Sequence, residues 1–353
     1  MDPILSEKIK STSFFSILLV VLLHAYNLEP TGPFVAPITK NYVWVLQDLL
    51  SNGFTRIAVP YFFMVSGFLY FYKLTAKRSA FISQIKKRAR TLLFPYLFWS
   101  SFGIAFYFVL QTPLHLSAYF SKELVVNYSL TQWMEKIFIH PIPYQFWFIR
   151  DLIVLVLFSP VLYFACTRFK FLFLTLCVVL WCLPSQDWHN SSEALLFFAL
   201  GTVLGTTYKN TPNESIPWSS KVLFLSWALL VILKTAFSYL QFNPVIVQFL
   251  LNSSIVFGVL CFWSALDRLT QANHTVKSAL LLLSNYTFFI YASHEPMLTI
   301  IKKISFKALG NGDLQFLGVY FTAPLLVIGM ATGIAILLKK HVSNLYLLVT
   351  GGR

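Results

Sequence analysis

Charge is what this chain has least of. Only 11% of its 353 residues are Asp, Glu, Lys or Arg, against about a quarter in an ordinary soluble domain. With 57% hydrophobic residues and a mean hydropathy of +0.68, the composition excludes a water-soluble globular domain and falls in the membrane class. Acidic groups are the scarcer sign, 13 against 27 basic ones, for a net charge of +14. The Lys and Arg residues gather in short links between apolar runs, so they read as membrane topology and not as a nucleic-acid stripe. Cysteine is sparse too. Cys166, Cys177, Cys182 and Cys261 lie in or beside apolar segments without metal-ligand spacing, so they read as small buried hydrophobes and no metal is expected. A serine nucleophile elbow, an HExxH motif, a P-loop, an internal repeat and a low-complexity tract are all missing. Ser66-Gly67 is no hydrolase motif, and Gly67 reads as a site of close helix packing. Lys8 and Lys10 precede the first apolar run as in a signal peptide, but no small-residue cleavage site follows, so the run reads as a retained helix.

What the chain has in abundance is apolar runs, with Phe at 36 copies. Segments of about 20 apolar residues cross a bilayer core. Ten such segments are expected, near 14–28, 54–72, 92–110, 146–166, 169–183, 194–208, 222–240, 245–266, 279–300 and 316–338. The expected fold is therefore an all-α polytopic membrane bundle of about ten transmembrane helices, forming one domain over 1–353. Basic residues occur before the first run, in the link 73–91, and in every second link after it, including Arg168, Lys170, Lys209, Lys221, Arg268 and Lys277. Lys339 and Lys340 close the series. That alternation places these links and both termini in the cytoplasm. Lys302, Lys303 and Lys307 run against the scheme, as a basic loop outside. The longest external link, 112–145, carries Tyr119, Tyr128, Trp133, Pro141 and Pro143, and reads either as an interfacial amphipathic segment or as a solvated loop.

Ionisable residues inside apolar runs are costly and mark functional sites by default. His24 is the leading case, in the uninterrupted run Phe14-Phe-Ser-Ile-Leu-Leu-Val-Val-Leu-Leu-His24. At about 1.5 Å per residue, His24, Arg56, Arg150, Asp151, His294 and Glu295 all fall in one outer layer. Groups that pair across a bundle, or line an aqueous cavity, share a depth in this way. Plainer readings stand beside this one. Arg56 suits an interfacial anchor, Arg150–Asp151 a structural pair, and His294 a water-facing helix end. A histidine with a pKa near 6.5 can take a proton from an attacking hydroxyl and pass it to a leaving group. A neighbouring Arg can stabilise an oxyanion or hold a phosphate.

Five segments carry a family resemblance: Leu19-Val-Val-Leu-Leu-His24, Arg56-Ile-Ala-Val-Pro-Tyr-Phe-Phe-Met-Val-Ser-Gly-Phe-Leu69, Lys86-Lys-Arg-Ala-Arg-Thr-Leu-Leu-Phe-Pro-Tyr96, Phe146-Trp-Phe-Ile-Arg-Asp-Leu152 and Ser284-Asn-Tyr-Thr-Phe-Phe-Ile-Tyr-Ala-Ser-His294-Glu-Pro296. In this order they resemble the bacterial acyltransferase-3 superfamily, integral membrane O-acyltransferases of surface glycans. The resemblance implies a ten-helix fold in the inner membrane, an acyl-CoA donor entering from the cytoplasm and an acceptor reached from the other face. His24 matches the histidine that activates the acceptor hydroxyl, and Arg56 the arginine before Val-Pro. Arg88 and Arg90 match the basic residues before the Pro-Tyr of the third helix, where they suit the phosphates of coenzyme A; ordinary positive-inside charge is the plainer reading. The family's basic residue eleven positions before the histidine is Ser13 here, and Lys10 stands one helical turn earlier.

The expected function is an O-acetyltransferase that moves an acyl group from acetyl-CoA, or another acyl-CoA, to a hydroxyl of a surface polysaccharide or its lipid-linked precursor. His24, His294 and Glu295 are the expected catalytic residues. Arg56, Trp147, Arg150 and Asp151 are the substrate-binding candidates, and Lys10, Arg88 and Arg90 the donor-binding ones. Expected partners are membrane lipid and a glycan or lipid-linked sugar, with no nucleic acid. Self-association and docking to glycan-assembly machinery are both left open. The rival is a polysaccharide or small-molecule transporter that uses the same polar layer without transfer chemistry.

Overall fold

The computed structural model describes residues 3–27, 39–72, 74–75, 77–114, 116–117, 123–183, 189–207, 219–269 and 274–352, with side chains described except at 265–269 and 274–276. Lys73, Tyr119 and Lys209, and the side chain of Arg268, lie outside the described set. Among the described residues every regular element is helical. The helices are α1 (Pro3–His24), α2 (Tyr42–Ser51), α3 (Ala58–Phe71), α4 (Arg78–Arg88), α5 (Phe94–Gln111), α6 (Leu130–Phe138), α7 (Trp147–Leu157), α8 (Ser159–Arg168), α9 (Lys170–Cys182), α10 (His189–Thr207), α11 (Ser220–Tyr239), α12 (Pro244–Leu269), α13 (His274–Ser284), α14 (Thr287–Leu309), α15 (Asp313–His341) and α16 (Ser343–Thr350).

Among the described residues five stretches are long and apolar enough to cross a membrane: Tyr42–Phe71, Arg78–Gln111, Ser220–Tyr239, Pro244–Ser264 and Asp313–His341. Tyr144–Leu157 and Ser159–Arg168 make a sixth if taken together, although a 69° bend separates them. The expected span 146–166 is therefore broken at Phe158, just before Pro160. The expected span 169–183 is a helix of 13 residues. The expected span 279–300 is also corrected: α13 ends at Ser284 and α14 starts afresh at Thr287. The presumed basic loop at Lys302, Lys303 and Lys307 is likewise helix, because α14 continues to Leu309. Helices α1, α10 and α14 have 22, 19 and 23 residues, but polar residues interrupt their apolar faces. Apolar side chains also point outward, as hydrocarbon contact requires: Leu225 is 66% exposed and Leu325 70%.

The chain packs as two compact units between which it passes repeatedly. The first comprises 1–23, 48–86 and 154–287. Its axis is the pair α3 and α10, whose backbones meet without side chains between them. A Cβ on Gly67 would strike the carbonyl of Phe198, and one on Gly201 would strike the carbonyl of Met64. Helices α11 and α12 form a hairpin that packs on α3 and on the 3-10 turn Phe54–Ile57. Within this unit Lys234 and Asp48 form a buried ion pair, with Nζ 2.9 and 2.8 Å from the two carboxylate oxygens.

The second unit comprises 24–47, 87–153 and 288–353. Its helix α5 buries the stripe Tyr96, Trp99, Ser100, Gly103 and Ile104, spaced by three and four residues. A π-helical stretch, Ala89–Leu93, leads into it. Pro95 cannot donate to the carbonyl of Thr91, so the usual i to i+4 ladder is interrupted there. Trp99 donates to Val349 O at 3.0 Å and ties α16 to α5. The link 112–145 contains α6, opened by a capping box between Ser129 and Gln132. Leu130, Met134 and Phe138 recur every fourth residue along α6 and are all exposed, which gives it the amphipathic face expected of an interfacial segment.

Candidate functional site

His24 is the last residue of α1, where the helix runs out of internal partners for its carbonyls. Lys302 supplies one. Its buried ammonium donates to Tyr26 O at 2.7 Å and to His24 O at 3.5 Å. A cation at a helix C-terminus also complements the macrodipole. The backbone N–H of Asn27 donates to Gln47 Oε1 at 2.8 Å, so the chain leaving the helix is held as well.

The 3-10 turn Tyr144–Phe146, which starts α7, brings a phenol to this imidazole. Tyr144 Oη lies 3.0 Å from His24 Nδ1 and 3.5 Å from Glu295 Oε1. The phenol donates its hydrogen to Glu295. In that arrangement its oxygen accepts from His24 Nδ1–H, which leaves Nε2 as the basic nitrogen of the ring.

Glu295 stands where it does because α14 breaks there. Its backbone is extended, with φ −107° and ψ 132°, inside an otherwise helical segment, and the Glu295–Pro296 bond is cis. Pro296 has no N–H, so the carbonyl of Ala292 loses its helical donor. Gln145 fills the gap. Its Nε2 donates to Ala292 O at 3.3 Å and to Glu295 O at 3.1 Å, while Tyr291 Oη donates to Gln145 O at 2.7 Å. The Glu295 side chain turns back, and its Oε2 accepts from Thr299 N at 3.4 Å.

His294 is fully buried. Its Nδ1 donates to Tyr291 O at 2.6 Å, and a carbonyl only accepts, so the lone pair is again on Nε2. That atom is buried and has no hydrogen-bond partner among the described residues. The two imidazoles stack, with centroids 5.4 Å apart and 19° between planes. The second unit thus holds two stacked imidazoles, one of them linked through a phenol to a carboxylate.

The other expected site residues are placed as follows. Arg150 Nε and Nη2 both meet Asp151 Oδ1 at 2.8 Å, and Arg150 Nη1 donates to Ile139 O at 2.9 Å, which joins α7 to the end of α6. Trp147 is half-buried at the start of α7. Arg56 belongs to the first unit, on the turn Phe54–Ile57, and its charge acts on His189, Glu193 and Lys234. Arg88 ends α4, and Arg90 is exposed on the π-helical stretch. Lys10 is exposed on α1; Lys8 is the buried one, with its ammonium 3.9 Å from the centre of the Trp263 ring. Among the described residues no group of three His, Cys, Asp or Glu side chains can hold a metal ion.

Three residues of the cluster escaped the sequence reading. Tyr144 and Gln145 were absorbed into the end of a link, and Lys302 into a loop. Helical spacing carried a signal for the last one. Glu295, Thr299 and Lys302 stand at i, i+4 and i+7, one face of a helix.

The profile of the acyltransferase-3 family, described as an acyltransferase domain, matches residues 14–339. That span contains the whole His24 cluster and nearly the whole chain, so the chain belongs to this family and is a helical membrane acyltransferase. Over 363 aligned positions it is 25% identical to the succinoglycan biosynthesis protein ExoH of Rhizobium meliloti (strain 1021), an alignment covering 100% of this chain and 94% of that one. No solved structure matches.

Proposed function

We propose that this protein transfers an acyl group, acetyl in the simplest case, from acyl-CoA to a hydroxyl of a surface polysaccharide or its lipid-linked precursor. It works in the bacterial inner membrane, with ten membrane segments and both termini in the cytoplasm. The family membership and the likeness to a succinoglycan biosynthesis protein support this reading. The observation that carries it is the chain His24–Tyr144–Glu295, with Tyr144 Oη 3.0 Å from the imidazole and 3.5 Å from the carboxylate.

In this proposal His24 Nε2 takes the proton of the acceptor hydroxyl as its oxygen attacks the thioester carbonyl carbon. The positive charge that forms on the ring is stabilised through Tyr144 by Glu295. Collapse of the tetrahedral species breaks the C–S bond, and His24 returns the proton to the departing thiolate. The products are an ester and free coenzyme A thiol. His294 Nε2 is an acceptor for a second hydroxyl of the sugar, which orients the ring. Arg56, Trp147, Arg150 and Asp151 contact substrate, while Arg88, Arg90 and Lys10 meet the donor phosphates.

The experiment is thiol release from acetyl-CoA by purified protein in lipid, with and without an oligosaccharide acceptor. Acceptor-dependent release is expected, and its abolition in folded His24→Ala. Wild-type release in that variant refutes the assignment of His24. Movement of sugar across the membrane without thiol release supports a transporter instead.

A further inference from the structure

One cavity of the second unit is separate from the His24 cluster yet begins at its carboxylate. It has a volume of about 510 Å³ and lies between the end of α5, with Tyr107 and Leu110, and one face of α14, with Pro296, Ile300 and Ile304 at helical spacing. Three groups in its wall answer to Glu295, the residue directly before Pro296. Thr299 N donates to its Oε2 at 3.4 Å, and the carboxylate interacts electrostatically with Tyr107 and Lys303. From Pro296 the lining continues along α14 to Ala308, over roughly 18 Å at about 1.5 Å per residue.

The lining decides the chemistry of the occupant. Lys303 and Lys307 both interact with other groups of the protein, Lys303 with Glu295, so neither selects the ligand. What they offer the cavity is their methylene stems. The rest of the wall is largely hydrocarbon, and a sugar or nucleotide buried here would lose water without gaining enough polar partners. An apolar chain fits. In acyl transfer the thioester carbonyl stands at His24, and whatever follows the carbonyl carbon has to lie beyond the cluster, where this cavity begins. A two-carbon acetyl group leaves it almost empty. With a methylene about the size of a water molecule, roughly 30 Å³, the cavity has room for roughly a dozen carbons. Ile304 is 63% exposed, so the outer wall is open to the bilayer and a phospholipid tail is the competing occupant. A tail needs hydrocarbon alone, whereas this slot ends at the carboxylate, phenol and imidazole of the transfer cluster.

We infer that this cavity is an acyl pocket, which takes the apolar tail of a medium-chain acyl-CoA donor of about eight to twelve carbons. This rests on the acyl-transfer reading and narrows it: acetyl is accepted but is not the preferred group. Transfer forms the ester between the carbonyl carbon of that chain and the acceptor oxygen, breaks the C–S bond and releases coenzyme A thiol.

Thiol release by the full-length protein in nanodiscs, from acetyl-, butyryl- and octanoyl-CoA with an oligosaccharide acceptor, tests it. A methylene moved from water into hydrocarbon tightens binding about fourfold, and competition from the bilayer reduces the sum, so kcat/KM is expected to be at least about tenfold higher for octanoyl-CoA than for acetyl-CoA. Ile300→Trp fills the slot from α14 and Leu110→Trp fills it from α5. Each lowers octanoyl transfer about tenfold or more and acetyl transfer less than about threefold, whereas a folding defect lowers both alike. Equal or better use of acetyl-CoA by the wild-type protein, or an unchanged chain-length dependence in both variants, overturns the inference; the second is also the result if a phospholipid tail occupies the cavity. Binding in the His24→Ala background separates the two readings. Octanoyl-CoA is expected to bind at least about tenfold more tightly than acetyl-CoA there, and adding Ile300→Trp removes the difference. That difference without thiol release by the wild-type protein from any acyl-CoA rejects the reaction and keeps the pocket. Thiol release without chain-length preference rejects the pocket and keeps the reaction.

Discussion

Replacing Tyr144 by Phe deletes one oxygen and leaves the ring in its T-shaped contact with His24, at a centroid distance of 5.0 Å. Two hydrogen bonds disappear with it. The one to Glu295 matters only once the imidazole is charged, during reaction. A hydrogen bond to a charged group contributes about 1.5–3 kcal/mol. At about 1.36 kcal/mol per factor of ten, kcat falls roughly ten- to a hundred-fold. The lower end is expected, because Tyr144 is 47% exposed and water can replace part of the link. KM for either substrate changes by less than about twofold, since the phenol supports the ring and not the ligand. Folded yield is unaffected, because neither lost bond is deeply buried. Acceptor-dependent thiol release measures all of this, in the single variant and in the background of His24→Ala. A group that acts through His24 has nothing to act on there, so the second substitution adds no further loss. More than half of wild-type kcat in Tyr144→Phe, or a full additional loss in the His24→Ala background, refutes the relay.

Lys302→Met keeps the length of the side chain and removes the donor to Tyr26 O. Thiol release is expected to drop more than about tenfold, and stability by about 1–3 kcal/mol for the carbonyls left bare, read as a lower melting temperature in detergent. Asp48→Asn leaves Lys234 buried without its carboxylate and destabilises by about 3–5 kcal/mol, whereas Asp48→Asn/Lys234→Met recovers part of the loss in the same melt. Gly201→Ala drives a methyl into the backbone of α3 and costs about 1–3 kcal/mol, while Gly329→Ala, facing open space, is neutral.

The sequence disclosed most where chemistry and hydropathy disagreed. His24, His294 and Glu295 stood out because ionisable groups sit badly in apolar runs, and in the structure they share one cluster. The class of fold was legible for the same reason, from long apolar runs with basic links. What was not legible is how the helices end. Two prolines, Pro160 and Pro296, sit at breaks in segments whose hydropathy alone reads as continuous spans. Tyr144 and Gln145 were invisible because a phenol and an amide beside two prolines look like any loop; their value comes from what the fold brings within 3.5 Å. Lys302 was misread because charge counting treats a lysine as a marker of sidedness. Its ammonium is instead buried against the end of α1.

The amide of Gln145 has a consequence for how this family can vary. It repairs a defect that Pro296 creates at Ala292 O, and it has no such task where that defect is absent. A relative with an ordinary residue at the position of Pro296 closes its own ladder and can carry an aliphatic side chain at the position of Gln145. A relative that keeps the proline needs a donor there. The two sites, 151 residues apart in the chain, should therefore be inherited as a pair, and laboratory evolution starting from Gln145→Leu should recover fitness through loss of the proline.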